Sequence, residues 1–220
     1  MIRLHHVPFS RSFRVLWLLQ ELEQSFDIIE YSIRDGSLRA PDFMAHSPAG
    51  RVPALEIDGE TLFESGAIME LLCERHPEFG LGRAPGHPDR AAFLQALNFA
   101  ETQASLIEQL NLNHVFLRDP ADASPVVIKL NTMRLTQTLR ATEAMLAGQE
   151  FLLPSGFSGA DIMMGFNLFA APYFVPLDPF PHLRAYRQRL ETRPGYQAAR
   201  ARDGQQDFYA KDFYPVPGGA

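Results

Sequence analysis

An α+β unit with the order βαβ then ββα, followed by an all-helical unit, is the fold class this sequence predicts, and three observations predict it. Asp58-Gly59 stands between Ala54-Leu55-Glu56-Ile57 and Thr61-Leu62-Phe63, which is the short-range signature of a tight β-hairpin. Upstream, two short apolar stretches flank residues 13–22, where Val15, Leu18, Leu19 and Leu22 recur with helical spacing. Beyond residue 88 the strand pattern is gone and only helical periods remain.

In chain order, Ile2 to Val7 reads as a strand, and Pro8 to Ser12 breaks it before the helix of residues 13–22. Phe26 to Ile33 sets Ile29, Tyr31 and Ile33 against Glu30 and Ser32, so a second strand closes a βαβ unit and is expected to run parallel to the first. A short helix around Pro41 to His46 precedes the turn Ser47-Pro48-Ala49-Gly50. Pro53 lies near the start of the hairpin, where proline is tolerated only at an edge, a strand start or a turn. It is expected to leave backbone free on a strand edge, and such an edge pairs with a peptide-like ligand. Ser65 precedes Ile68, Leu71 and Leu72, which makes it the expected N-cap of a helix running to about Arg75. His76-Pro77 stops that helix, and residues 79–88 hold three glycines and two prolines without periodicity. The expected organisation is therefore a domain over 1–79, a linker over 80–88 and a helical domain over 89–220.

The helical half opens with Asp89 to about Leu117 and continues from Ser124, an N-cap followed by Pro125, to Leu146 with Gly148 behind it. Ser158-Gly159-Ala160-Asp161 has the spacing of a capping box ahead of a helix that Pro172 ends. A last helix, about His182 to Thr192, precedes Pro194-Gly195. The aromatic tail, Phe208, Tyr209, Phe213 and Tyr214, is expected either to cover a cleft or to pack on the surface.

A net charge of −6 with no long run of one sign argues against nucleic acid or an anionic membrane as the main partner. A single cysteine, Cys73, excludes an intramolecular disulfide and any multi-cysteine metal site. With no signal-peptide pattern and no apolar run of spanning length, a cytoplasmic location is expected. His5 and His6 fall on opposite faces of one strand and do not form a metal-binding pair. No metal is expected.

Four segments carry a family resemblance: Arg51-Val52-Pro53-Ala54-Leu55, Leu62-Phe63-Glu64-Ser65, Ser10-Arg11-Ser12-Phe13-Arg14-Val15-Leu16-Trp17 and Phe157-Ser158-Gly159-Ala160-Asp161-Ile162. The chain resembles the cytosolic glutathione S-transferase family, in its serine-type, bacterial- and fungal-like form, over nearly its whole length. The resemblance implies a thioredoxin-like N-terminal domain with a cis peptide at Pro53, and an all-α second domain. It also implies roles. Ser10, with Ser12 as the alternative, would hydrogen-bond the sulfur of glutathione; Val52 would offer backbone to its cysteinyl part; Glu64 would face the γ-glutamyl ammonium and Ser65 its carboxylate. Arg51 adds a cation for an acidic tripeptide, and His46 is offered for the glycyl carboxylate. No cysteine lies in the loop of Ser10 and Ser12, which sets the chain apart from the redox relatives, and no tyrosine lies near that loop, which sets it apart from the tyrosine-type classes.

The implied function is a glutathione transferase that joins the glutathione thiolate, as co-substrate, to small hydrophobic electrophiles held against the helical half, with peroxide reduction as a further activity of serine-type relatives. The alternative is a non-catalytic relative used as a binding protein or scaffold. A homodimer is implied, with the helix from Asp89 to Leu117 long enough to supply its surface.

Overall fold

The chain is described over residues 1–218 by a computed structural model. It forms two compact units: Met1–Arg90 with Glu191–Gln206, and Ala91–Leu190 with the chain from Asp207 onward. The last two residues of the expected C-terminal domain lie outside the described residues.

In the first unit the strands are β1 (Ile2–His6), β2 (Phe26–Glu30), β3 (Ala54–Ile57) and β4 (Glu60–Phe63), in the order β2-β1-β3-β4. β1 and β2 are parallel, with Leu4 opposite Ile28, while β3 runs antiparallel to both β1 and β4. Asp58 and Gly59 have φ of 53° and 84°. Two successive left-handed residues make the turn whose twist matches the strands it joins. β2 stops at Glu30, earlier than the alternation to Ile33 suggests. Its partner β1 ends at His6, so the ladder closes when the Tyr31 N–H reaches the His6 carbonyl at 2.8 Å.

β3 is an interior strand, which corrects the expectation of a free edge at Pro53. The cis peptide Val52-Pro53 stands just before Ala54, the first residue of the ladder, so Val52 lies beyond the end of the strand.

Helix α1 (Ser12–Glu21) is buried from Ser12 through Leu19, not only along the stripe of Val15, Leu18 and Leu19. It packs on β1 and on two further helices, α3 (Ser65–Arg75) and the C-terminal α8 (Pro194–Arg202). α2 (Pro41–His46) lies against β3 and β4. Pro194-Gly195, expected only to follow the helix that ends near Thr192, opens a further helix, α8, with proline in the first turn where its missing N–H costs nothing. The sequence reading placed everything after residue 89 in the helical half, whereas α8 belongs to the first unit.

Tyr196 docks edge-on against Phe13 and Trp17, with ring centroids 5.6 and 5.0 Å away. The Arg193 guanidinium donates Nε to Glu21 Oε1 at 2.9 Å and Nη2 to Oε2 at 2.7 Å, and Trp17 Nε1 donates to the same carboxylate at 2.9 Å. Only 9% of the Glu21 side chain is exposed, so removing the cation leaves an almost buried carboxylate. Arg193→Ala is expected to cost about 2 kcal/mol, less than a fully enclosed pair because the arginine keeps some water. A urea midpoint within error of the parent would refute that.

The second unit holds α4 (Arg90–Asn111, whose first residue belongs to the other unit), α5 (Pro125–Met145), α6 (Gly159–Ala170) and α7 (Pro181–Glu191, whose last residue belongs to the other unit). α4 ends before the expected Leu117, because Leu112–Phe116 continue as a wider π-helical turn. Ser124 caps α5 by accepting from the Val127 N–H, with Pro125 next, as expected. The capping box is present in α6: Asp161 accepts from the Ser158 N–H at 2.8 Å and from its hydroxyl at 3.0 Å. The aromatic tail packs on this unit: Tyr209 stacks on Tyr173 at 3.9 Å and donates its hydroxyl to Asn111, and Phe208 and Tyr214 are buried. Among the described residues, no helix is long and apolar enough to cross a membrane.

Candidate functional site

A cleft in the first unit is lined by Ser47, Arg51, Val52 and Pro53 on one side, by Phe63, Glu64 and Ser65 on another, and by Arg11. Five of the eight residues singled out from sequence, Arg51, Val52, Pro53, Glu64 and Ser65, are therefore brought together. They converge because the hairpin returns the chain: Ala54 pairs with Phe63, so residues just before β3 and just after β4 meet at one end of the sheet.

Glu64 is the N-cap of α3 and carries φ 75° and ψ 109°, making no side-chain capping bond. The expectation that Ser65 is the cap shifts by one residue, since Ser65 opens the helix. A glutamate in the left-handed half of backbone space costs on the order of 1 kcal/mol or more, and such residues cluster at ligand clamps. Ser65 is buried, and its Oγ accepts from Arg14 Nη1 at 3.0 Å. Arg14 is itself fully buried and places a cation under the Ser65 end of the cleft. Neither Arg14 nor Arg11 has a role assigned from the sequence alone.

Arg11, Arg51 and Glu64 are the ionisable residues of the lining, two cations and one anion. The complementary ligand carries two carboxylates and one ammonium.

Ser10 and Ser12 lie outside this lining, with Ser10 next to Arg11 in the chain. Ser12 is buried and its hydroxyl is fully engaged: it accepts from the Val7 N–H at 3.2 Å, meets His6 Nδ1 at 2.8 Å and lies 2.8 Å from Ser10 Oγ. His6 Nε2 faces the Asp203 carbonyl at 3.1 Å and Asp203 Oδ1 at 3.2 Å. Both are acceptors, so the proton of a neutral ring sits on Nε2, and Nδ1 takes the Ser12 proton. Ser10 is half-buried and accepts from the Ser12 N–H at 3.2 Å; with the Ser12 proton on His6, the 2.8 Å contact between the two hydroxyls has Ser10 donating, and that proton turns from Ser12 when a stronger acceptor lies beside it.

His46 is elsewhere, its ring 4.4 Å from that of His5 and outside the cleft lining. His5 and His6 occupy opposite faces as expected, His5 toward Phe43 of α2 and His6 toward Ser12 of α1. Cys73 is buried in α3, and burial pushes its thiol up to about 12, so it stays protonated.

Residues 1–74 match the family model described as the N-terminal domain of glutathione S-transferase. A glutathione S-transferase from Arabidopsis thaliana, F10, is 32% identical over 162 residues, covering 70% of this chain and 73% of the relative. Glutathione S-transferase 3 of Schizosaccharomyces pombe is 28% identical over 217 residues, covering 90% of this chain and 86% of the relative. A sphingomonad glutathione S-transferase solved in complex with glutathione superposes with a TM-score of 0.78 at 26% identity, covering 93% of this chain and all of that one.

Proposed function

The chain belongs to the glutathione S-transferase family, with a thioredoxin-like first domain and a helical second one, and from that premise we propose that it binds glutathione in the cleft of Arg51 to Ser65 and transfers its thiolate to small hydrophobic electrophiles. The observation that carries this reading is the charge pattern of the cleft. Glutathione has two carboxylates and one ammonium, the inverse of Arg11, Arg51 and Glu64.

In this reading Glu64 takes the γ-glutamyl ammonium, and Ser65, steadied by Arg14, takes the adjacent carboxylate at the start of α3. Val52, outside the β-ladder, offers its backbone to the cysteinyl amide. The two arginines balance the carboxylates, so His46 has no part in the site. Ser10 rather than Ser12 donates to sulfur, because the Ser12 proton is committed to His6.

A free thiol with a pKa of about 8.5 is only a few per cent ionised at neutral pH. Lowering it by about two units needs roughly 2.7 kcal/mol of preferential thiolate binding. A hydrogen bond to a charged group gives about 1.5–3 kcal/mol, and the N-terminus of α1 adds up to about 1 kcal/mol. Holding the thiolate beside the electrophile supplies the remaining acceleration. Peroxide reduction is a second use of the same thiolate, and a homodimer is the proposed assembly.

Calorimetric titration tests the binding step. Glutathione is expected to bind with one site per chain, and Glu64→Ala to weaken it by about tenfold or more, the loss of one charge-assisted bond. No heat at millimolar glutathione would leave the chain a non-catalytic relative.

A further inference from the structure

We propose that His5, His46 and Glu56 form a binding site for a divalent transition-metal ion, zinc by the character of its donors. The three come from different elements of the first unit: His5 from β1, His46 from the last turn of α2 and Glu56 from β3. One donor atom from each lies within 4.8 Å of those of the other two. His5 Nε2 and Glu56 Oε1 are already 3.0 Å apart, and the His46 ring lies against the His5 ring at 4.4 Å.

Two features beyond proximity suit a metal. The Tyr31 hydroxyl lies 2.9 Å from His5 Nδ1, so that nitrogen has a partner of its own and the ring turns Nε2 toward Glu56 and His46. An outer hydrogen bond of this kind fixes the ring orientation of a ligating histidine. His5 is also fully buried, so its ring is held in place by packing.

Two imidazoles and one carboxylate are the donor set of open zinc sites, and they disfavour magnesium and calcium, which take oxygen. Bonds of about 2.0–2.1 Å require the donors to draw somewhat closer. His46 and Glu56 are both partly exposed and have room to turn. The groups around the site are accounted for: Arg3 Nη1 stands 3.8 Å from Glu56 Oε2, on the side away from the oxygen that meets His5. The lone cysteine and the opposed His5 and His6 give no metal site in the sequence; the fold instead brings His46 to His5 across 41 residues of chain.

A metal here would tie the end of α2 to the sheet. The next residue, Ser47, lines the cleft, so the site would brace one wall of it without touching the ligand-facing groups. This inference stands apart from the proposed transferase activity.

The test uses the full chain, treated with a chelator and then titrated with zinc by calorimetry and with cobalt(II) by visible absorption. One equivalent of each is expected, with the intense cobalt bands of a four-coordinate site. His46→Ala and Glu56→Gln, at partly exposed positions, should keep the parent circular dichroism and each abolish the stoichiometric step. Tyr31→Phe should weaken it by about 10–100-fold. Absence of saturable binding, or binding that survives unchanged in both His46→Ala and Glu56→Gln, would overturn the proposal.

Discussion

Ser10→Ala is expected to lower the rate with an aryl halide by up to about 25-fold at pH 7, less whatever share of the thiol shift the N-terminus of α1 retains, while weakening glutathione binding by only about fourfold. The figure follows from the proposed thiol shift: a bound thiol with pKa about 6.5 is roughly three-quarters ionised at pH 7, and one returned to about 8.5 is roughly 3% ionised. The sign of the pH dependence separates this cause from general damage. Both enzymes approach full ionisation near pH 9, so the deficit should shrink to less than about twofold there. A loss that is constant across pH would mean that Ser10 positions the sulfur without ionising it. Full activity in Ser10→Ala would remove it from the chemistry altogether. Ser12→Ala is the instructive companion, because its hydroxyl bridges Val7, His6 and Ser10. It should lose stability, with any change in the thiol profile arising through Ser10.

The parts of this site that were legible in the sequence are those made by local chain geometry. Asp58-Gly59 announces the hairpin, and the hairpin alone brings Val52 and Glu64 to the same end of the sheet. What was not legible depends on distant chain. Arg14 lies in a helix whose polar face, judged by period, should meet water, but it is fully buried and its guanidinium reaches Ser65 at the start of α3, 51 residues along the chain. His6 meets Asp203 across nearly the whole chain, and no spacing rule connects them. α8 was hidden by a dipeptide with two meanings, since Pro-Gly ends helices but proline also begins them. The fold also gives the glycine a reason: a Cβ on Gly195 would stand 2.6 Å from Glu21 Cδ, which Arg193 and Trp17 hold in place.

Asp161→Ala is expected to be the most destabilising single change in the helical unit, at about 4 kcal/mol. Its side chain is fully buried and accepts four hydrogen bonds: from the N–H groups of Leu152 and Ser158, from the Ser158 hydroxyl, and from Tyr186 at 2.8 Å. The carboxyl therefore joins the loop before α6, the cap of α6 and the middle of α7. Burial pushes it above the usual carboxylate range, and the donors from Leu152, Tyr186 and Ser158 pull it back. Removing it orphans the Leu152 and Ser158 N–H groups and the Tyr186 hydroxyl together, each worth about 1–3 kcal/mol when left buried without a partner, and these costs overlap because the groups share one acceptor. A cap lost from an exposed helix would cost only about 1 kcal/mol, so the excess measures the network rather than the cap. Asp161→Asn discriminates further, since its amide keeps one acceptor oxygen and should lose about half as much. Tyr186→Phe removes a single bond and should cost about 1–2 kcal/mol. If urea unfolding places Asp161→Ala within about 1 kcal/mol of the parent, the cluster is a cap and nothing more. If Asp161→Ala and Tyr186→Phe combine additively, the two side chains are not coupled, and the link between α6 and α7 rests on apolar packing alone.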